Sequence, residues 1–247
     1  MSKLVLPTGP QSVRTGDPLK ILQLLNSFPQ MIIALVPAAG MSRRLGRNKL
    51  LLPFKGKPLI AHTVDTLTAS MVDEIIVVLG HEAVQVRAAI GKKRVRFVDN
   101  PDYQQGLGTS VRAGFAALPG HTTAIMIYLA DQPLLQAGEV NFLIRAFAEA
   151  SKINKSVVVP LFRGQRGNPV LVSSSHQAAI LTMAGETGCR RVIKQNPDQV
   201  LTVEMETDHV VRDIDTMEAY ERLLAEVQEP TQRPTSGLER SFEQGET

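Results

Sequence analysis

Short apolar runs rich in β-branched residues recur along this chain, each followed by a stretch with helical character. Residues 32–36, 74–79, 95–98, 124–129 and 156–161 are nearly all apolar, which marks strands covered on both faces. Helices are predicted between them over residues 58–70, 82–90, 109–118 and 136–150. In the last of these, Val140, Leu143, Ile144 and Phe147 recur at i, i+3, i+4 and i+7 and so share one face. Strand and helix alternating in this way predict a parallel, doubly wound α/β sheet. Such sheets bind ligands in the crevice outside the carboxyl ends of their strands, which is where chemistry is to be sought.

The alternation fills residues 31–227, which are read as one domain. Residues 1–30 carry turn formers (Pro7, Gly9, Pro10, Gly16, Pro18) and a short helical candidate over 19–28. They read either as an added arm or as sequence upstream of a true start at Met31. Residues 228–247 are polar and poor in apolar side chains, the composition of a disordered tail. The 27 basic and 24 acidic residues are spread along the chain, so nucleic acid is not an expected partner. The one basic cluster, Lys92, Lys93, Arg94 and Arg96, falls where a helix hands over to a strand and reads as a solvated turn. A single cysteine, Cys189, rules out an internal disulfide framework and a cysteine-ligated zinc cage; it reads as a small buried residue. No apolar stretch reaches the roughly 18 residues that a membrane span needs, and the N-terminus lacks the layout of a secretory signal. Cytoplasm is the expected location. The five histidines show no metal-ligand spacing.

The first strand runs into PAAGMSRRLG, residues 37–46, small residues first and paired arginines after. Small residues let a backbone approach a ligand, and Gly40 offers positive φ, so that successive N–H groups can form a concavity for an anion. Neither a dinucleotide fingerprint nor a Walker loop is present: Gly40 and Gly46 are wrongly spaced for the first, and Arg47 stands where the second needs lysine. What remains is a turn with backbone donors plus Arg43, Arg44 and Lys49, suited to a polyphosphate, or else an ordinary βα turn with exposed arginines.

Three further strand ends carry candidate groups. Asp131, just after the fourth strand, is placed to give oxygen to Mg²⁺, or simply to shape a turn before Gln136. Asp213 and Asp215, at i and i+2, share a face if extended and so fit the same metal. Against this, Asp215 with Glu218 resembles a capping box opening a helix to Val227. The stretch NPDYQQGLGTSVRAG, residues 100–114, brings two glycines and two hydroxyls to a helix start, suited to a phosphate or nucleoside, or to a plain N-cap by Thr109 or Ser110.

Taken in order, AAGMSRRLGRNK, LLPFKGKPLI, NPDYQQGLGTSVRAG, LADQPLL, RGNPVL, GETGCRRVI and DIDTMEAY resemble the nucleotidyltransferases of molybdenum cofactor maturation, the cytidylyltransferase family most closely. The resemblance covers residues from about 32 to 227. It implies a three-layer, Rossmann-like fold of the glycosyltransferase-A type with a mostly parallel sheet. It also implies transfer of CMP from CTP to molybdenum-molybdopterin with Mg²⁺, releasing pyrophosphate and giving the cytosine dinucleotide cofactor. A molybdenum hydroxylase is the implied recipient of that product.

The resemblance assigns roles by position. Ala38, Ala39, Gly40 and Ser42 cradle the triphosphate, while Arg44 and Lys49 neutralise it. Gly80, Asn100, Gly108, Thr109 and Ser110 contact the nucleoside, and Asp131 with Asp213 or Asp215 holds the metal. Arg163, Arg166 and Asn168, in an expected hairpin, and Arg190 are the acceptor-side candidates, with an exposed hairpin turn as the plain alternative. Two departures stand out: DIDTMEAY has Met217 and Ala219 where the family has proline and the motif's last acid, and Asn168 stands where many cytidylyltransferases have histidine. The Ala-Ala-Gly opening resembles the cytidylyl branch. The alternatives are a guanylyltransferase using GTP on the same acceptor, an NAD(P)H-dependent oxidoreductase of the same fold, and a non-catalytic carrier or insertion chaperone for the cofactor.

Overall fold

The computed structural model describes residues 30–182 and 188–228. The N-terminal arm, including the helical candidate over 19–28, and residues 229–247 of the predicted tail lie outside the described residues.

Strand β1 (Ile32–Ala38) is the spine of the sheet. Its residues alternate between two cores: Ile32, Ala34, Val36 and Ala38 face one side, Ile33 and Leu35 the other. β4 (Glu74–Leu79) pairs with it in parallel on one flank and β6 (Ala124–Ile127) on the other. β5 (Arg96–Asp99) adds in parallel beyond β4. These strands appear where the apolar runs predicted them, within a residue or two at each end.

The far half of the sheet differs from the expectation. β9 (Val170–Ser173) lies antiparallel between β6 and β7 (Val157–Phe162), and β10 (Val200–Glu204) closes the edge parallel to β7. The sheet is therefore mixed, in the order β10-β7-β9-β6-β1-β4-β5, rather than purely parallel. Two antiparallel steps restore the direction, so β7 points the same way as β6. The carboxyl ends of β1, β4, β5, β6, β7 and β10 thus share one rim of the sheet. The predicted hairpin is present: β8 (Gln165–Arg166) folds back on β7 through Arg163 and Gly164, both left-handed at φ 49° and 79°.

Helices α1 (Leu59–Thr68), α2 (Ala83–Ile90) and α4 (Ala137–Lys152) cover one face with Ile60, Val64, Val86, Ile90, Leu143 and Phe147. The other face is covered by α3 (Leu107–Ala116), α5 (Gln177–Thr182) and α6 (Gly188–Gln195), through Val111, Phe115, Ile180 and Val192. The basic cluster divides: Lys92 and Arg94 are exposed, as a solvated turn requires, whereas Lys93 pairs with Asp65 and Arg96 Nε reaches Glu74 at 2.6 Å. Cys189 packs at the border of the second core, where burial pushes its thiol up to about 12.

A third, smaller core explains how residues 210–228 reach the rim. The hairpin of β2 (Pro53–Phe54) and β3 (Lys57–Pro58) presents Phe54, with Leu45, Leu52 and Leu59 alongside. Helix α7 (Met217–Gln228) sets Tyr220 and Leu223 against them, and Tyr220 Oη donates to the Pro53 carbonyl at 2.5 Å. Upstream, Asn168 N donates to the Val210 carbonyl at 2.8 Å, Gln132 Nε2 to the same oxygen at 2.9 Å, and Ile214 N to the Asp131 carbonyl at 3.1 Å. Residues 210–215 are thereby stitched to the end of the fourth parallel strand.

Gly167 is the tightest of these joints, because a Cβ there would sit 2.4 Å from the Val210 carbonyl oxygen. Backbone cannot yield as a side-chain tip does. Gly167→Ala is expected to destabilise the fold by about 1–3 kcal/mol, the usual cost of overpacking. A urea melt reads that loss directly; an unchanged midpoint would show that this contact is dispensable.

Candidate active site

The rim encloses a cleft of about 550 Å³ with two chemically different walls. One wall carries Ala39, Gly40, Ser42, Arg44 and Lys49 together with Asp131, Asp213 and Asp215. The other is formed by Tyr103, Gln104, Gly106, Leu107 and Ser110.

The loop after β1 owes its shape to Ser42 and Gly46, at φ 50° and 69°, and not to Gly40, which has no positive φ. Gly40 serves by what it lacks, since a Cβ there would meet nothing within 4 Å and would only fill the cleft. Ser42 Oγ accepts from Lys49 N at 3.1 Å and so closes the loop on itself. Lys49 opens a single 3-10 turn, Lys49–Leu51, with Asn48 as its cap: Leu50 N donates to Asn48 Oδ1 at 3.1 Å. Leu50 is buried beneath it and fixes the backbone from which the Lys49 side chain extends.

Lys49 Nζ donates to both Asp131 Oδ2 and Asp215 Oδ1, the latter at 2.7 Å. Burial works against its charge, yet the two carboxylates outweigh burial and hold the ammonium above its ordinary pKa. Asp215 is held below the usual carboxylate range by the hydrogen bond from Lys49, with help from Arg44, whose Nη2 lies 3.1 Å from Oδ2. Asp131 is only 8 % exposed, and burial pushes its carboxyl up against the pull of Lys49.

Asp131, Asp213 and Asp215 each offer a carboxylate oxygen within 4.8 Å of the others. Asp131 Oδ1 is buried without a hydrogen-bond donor, an arrangement that costs free energy unless a cation meets it. Three carboxylates with one oxygen unpartnered fit a divalent cation, which takes hard oxygen ligands. The capping-box reading of Asp215 fails locally. Thr216 caps α7 by accepting from Ala219 N at 3.2 Å, which leaves Asp215 free of the predicted capping box. Gln136 with Glu139 caps α4, so Asp131 caps no helix; it does lie in the turn predicted before Gln136, a role its carboxylate can combine with holding a cation.

Residues 34–200 match the MobA-like NTP transferase domain family. The chain belongs to that family. It is accordingly a nucleotidyltransferase. Among curated relatives it is similar to nicotine blue oxidoreductase of Paenarthrobacter nicotinovorans, 33% identical over 76% of this chain and 93% of that one. The purine catabolism protein PucB of Bacillus subtilis is 30% identical over 77% and 94%. The molybdenum cofactor cytidylyltransferase of Escherichia coli is 26% identical over 76% and 93%. Of solved structures, Rv0371c from Mycobacterium tuberculosis superposes with a TM-score of 0.69 at 27% identity, covering 79% of this chain and 98% of that one. A manganese complex of Rv0371c gives 0.65 at 25% identity, covering 79% and 99%. The family match ends before Asp213 and Asp215, so their place in this transferase's site rests on geometry.

That geometry sorts the sequence candidates. Ala39, Gly40, Ser42, Arg44, Lys49, Ser110, Asp131, Asp213 and Asp215 line the cleft together. Ala38 lies beneath as the buried last residue of β1. Gly80, Asn100, Gly108 and Thr109 do not line the cleft; they support it. A Cβ on Gly80 would sit 2.7 Å from Tyr103 Cβ, so its bareness seats the Tyr103 ring that the sequence reading passed over. Asn100 Nδ2 donates to Thr109 Oγ1 at 2.9 Å and Ser110 Oγ at 3.0 Å. Helix α3 starts two residues earlier than predicted: Gly106, at φ 107°, is its cap, and Thr109 Oγ1 donates back to the Gly106 carbonyl at 2.9 Å. Thr109 and Ser110 are therefore not its N-cap.

The acceptor-side candidates stand apart from the cleft lining. Arg163 lies over the Phe162 ring at 5.1 Å, Arg166 is exposed on β8, and Arg190 is exposed on α6. Asn168 is half-buried and also off the cleft lining, with its backbone N donating to the Val210 carbonyl. Among the described residues, no helix is long and apolar enough to cross a membrane.

Proposed function

We propose that this transferase moves CMP from CTP to the terminal phosphate of molybdenum-molybdopterin, with Mg²⁺ as its metal. The carrying observation is the buried, donor-free oxygen of Asp131 beside Asp213 and Asp215, on the same wall of the cleft as a small-residue phosphate loop. A hydride transfer has no use for such an acidic cluster, which argues against carrying over the oxidoreductase activity named for one relative. The Ala38-Ala39-Gly40 opening and the likeness to the E. coli cytidylyltransferase favour CTP over GTP.

In this reading an acceptor phosphate oxygen attacks the α-phosphorus in line, the bond to the β-phosphate breaks, and pyrophosphate leaves. A phosphate monoester has its second pKa at about 6, so the nucleophile needs no general base near neutral pH. The chain's work is placement and charge. Ala39 and Gly40 admit the triphosphate to the backbone, and Lys49 and Arg44 meet the negative charge that grows on it. Bound Mg²⁺ would be held by Asp131 with Asp213 and Asp215 and would supply further neutralisation of phosphate oxygens. Tyr103 and Leu107, on the opposite wall, offer flat apolar surface to the nucleoside.

Pyrophosphate release decides the matter, measured with molybdenum-loaded molybdopterin and each of CTP, GTP and ATP, with and without Mg²⁺. Release that is selective for CTP and needs Mg²⁺ is expected. Selectivity for GTP would move the activity to guanylyl transfer, and silence with every nucleotide would overturn the proposal.

A further inference from the structure

The two carboxylates best placed for a metal already share a cation, and that cation belongs to the chain. Lys49 Nζ donates to Asp131 Oδ2 and Asp215 Oδ1 at once, in the midst of the three-aspartate cluster. An ammonium and a divalent cation draw on the same lone pairs, and three positive charges within one hydrogen-bond radius repel strongly in a part-buried site. The two occupants exclude each other.

We infer that Lys49 is a built-in competitor of the metal: a divalent cation entering on Asp131 and Asp215 displaces the ammonium, which then swings to the phosphate loop. The inference rests on the metal-dependent transfer proposed above. Several features make the exchange possible. Asp131 is locked by burial, and its second oxygen stays without a donor while Lys49 holds the first, so an incoming cation has a ligand before the ammonium leaves. The Lys49 backbone is fixed by Ser42 and by its 3-10 turn, whereas its four-carbon stem is flexible and can pivot about a stationary Cα. Ser42 and Gly40 line the same wall, so phosphate oxygens there would take the displaced charge. Metal and nucleotide then favour each other's binding, since each relieves a cost imposed on the other.

The test uses Mn²⁺ alone, titrated without nucleotide while the free ion is followed by electron paramagnetic resonance. Lys49→Met is expected to bind Mn²⁺ about tenfold more tightly than the wild type, within the usual range of such couplings. Arg44→Met removes an equal charge that touches only Asp215 from an exposed position, and should stay within about threefold of wild type. Equal or weaker binding by Lys49→Met, or the same gain in both variants, overturns the inference. A second measurement needs no variant. Acetylation of Lys49 by an amine-reactive ester, read by mass spectrometry, should rise when Mn²⁺ is added to the wild-type protein; unchanged labelling also overturns it. Pyrophosphate release by the same wild-type preparation separates the two ideas: release with unaltered Mn²⁺ affinity in Lys49→Met removes the competition and leaves the transfer reading standing.

Discussion

Asp131→Asn is expected to lower turnover by about 10³-fold, the upper end of what one preorganised electrostatic contact supplies. The change keeps the size and planarity of the side chain and removes only its charge. That charge is the buried member of the acidic cluster, and its Oδ1 has no protein donor to lose. Stability should move much less than activity. Lys49 keeps Asp215 as a partner, and the burial cost that pushes the Asp131 carboxyl up disappears with the charge. Single-turnover pyrophosphate release at saturating nucleotide and metal, with a urea melt beside it, distinguishes the two. A variant that turns over within tenfold of wild type would remove Asp131 from the reaction.

Lys49→Ala should slow turnover by roughly 10²- to 10³-fold with CTP and metal saturating. The loss belongs in kcat more than in KM, because the charge met by the ammonium grows as the α-phosphorus is attacked. Near wild-type turnover would make Lys49 a structural counter-ion to Asp131 and Asp215 and nothing more. The same variant gives up that ion pair, so a melt must accompany the kinetics. Loss of fold and loss of chemistry are different results.

The parallel half of the sheet was legible because β1, β4, β5 and β6 are apolar runs flanked by helical periods, a pattern set by burial on both faces. Helix α4 was equally plain, since its apolar stripe of Val140, Leu143, Ile144 and Phe147 is a local feature. The half formed by β9 and β10 was hidden. Four residues after Asn168-Pro169, and the half-exposed VLTVE, carry too little pattern to declare themselves, and their pairing is made by distant strands.

The site divides along the same line. By itself the sequence determined the strand-to-loop transitions that put Gly40 and Asp131 at one rim, because each follows within four residues on an apolar strand whose burial fixes its course; Lys49 reaches the same rim through the Ser42 bond and the Asn48 cap. The sequence also supplied the i and i+2 spacing of Asp213 and Asp215. Whether those two acids cap a helix or join Asp131 was decided only by the tertiary structure. Tyr220 and Leu223 anchor α7 on the Phe54 hairpin, Thr216 takes over the capping, and the Ile214 amide is tied to the Asp131 carbonyl. Tertiary packing likewise turned Gly80 from a lining residue into the seat of Tyr103. Contacts between residues 84 positions apart in sequence, as Asp131 and Asp215 are, leave no local trace, since what brings them together is packing among side chains from separate parts of the chain.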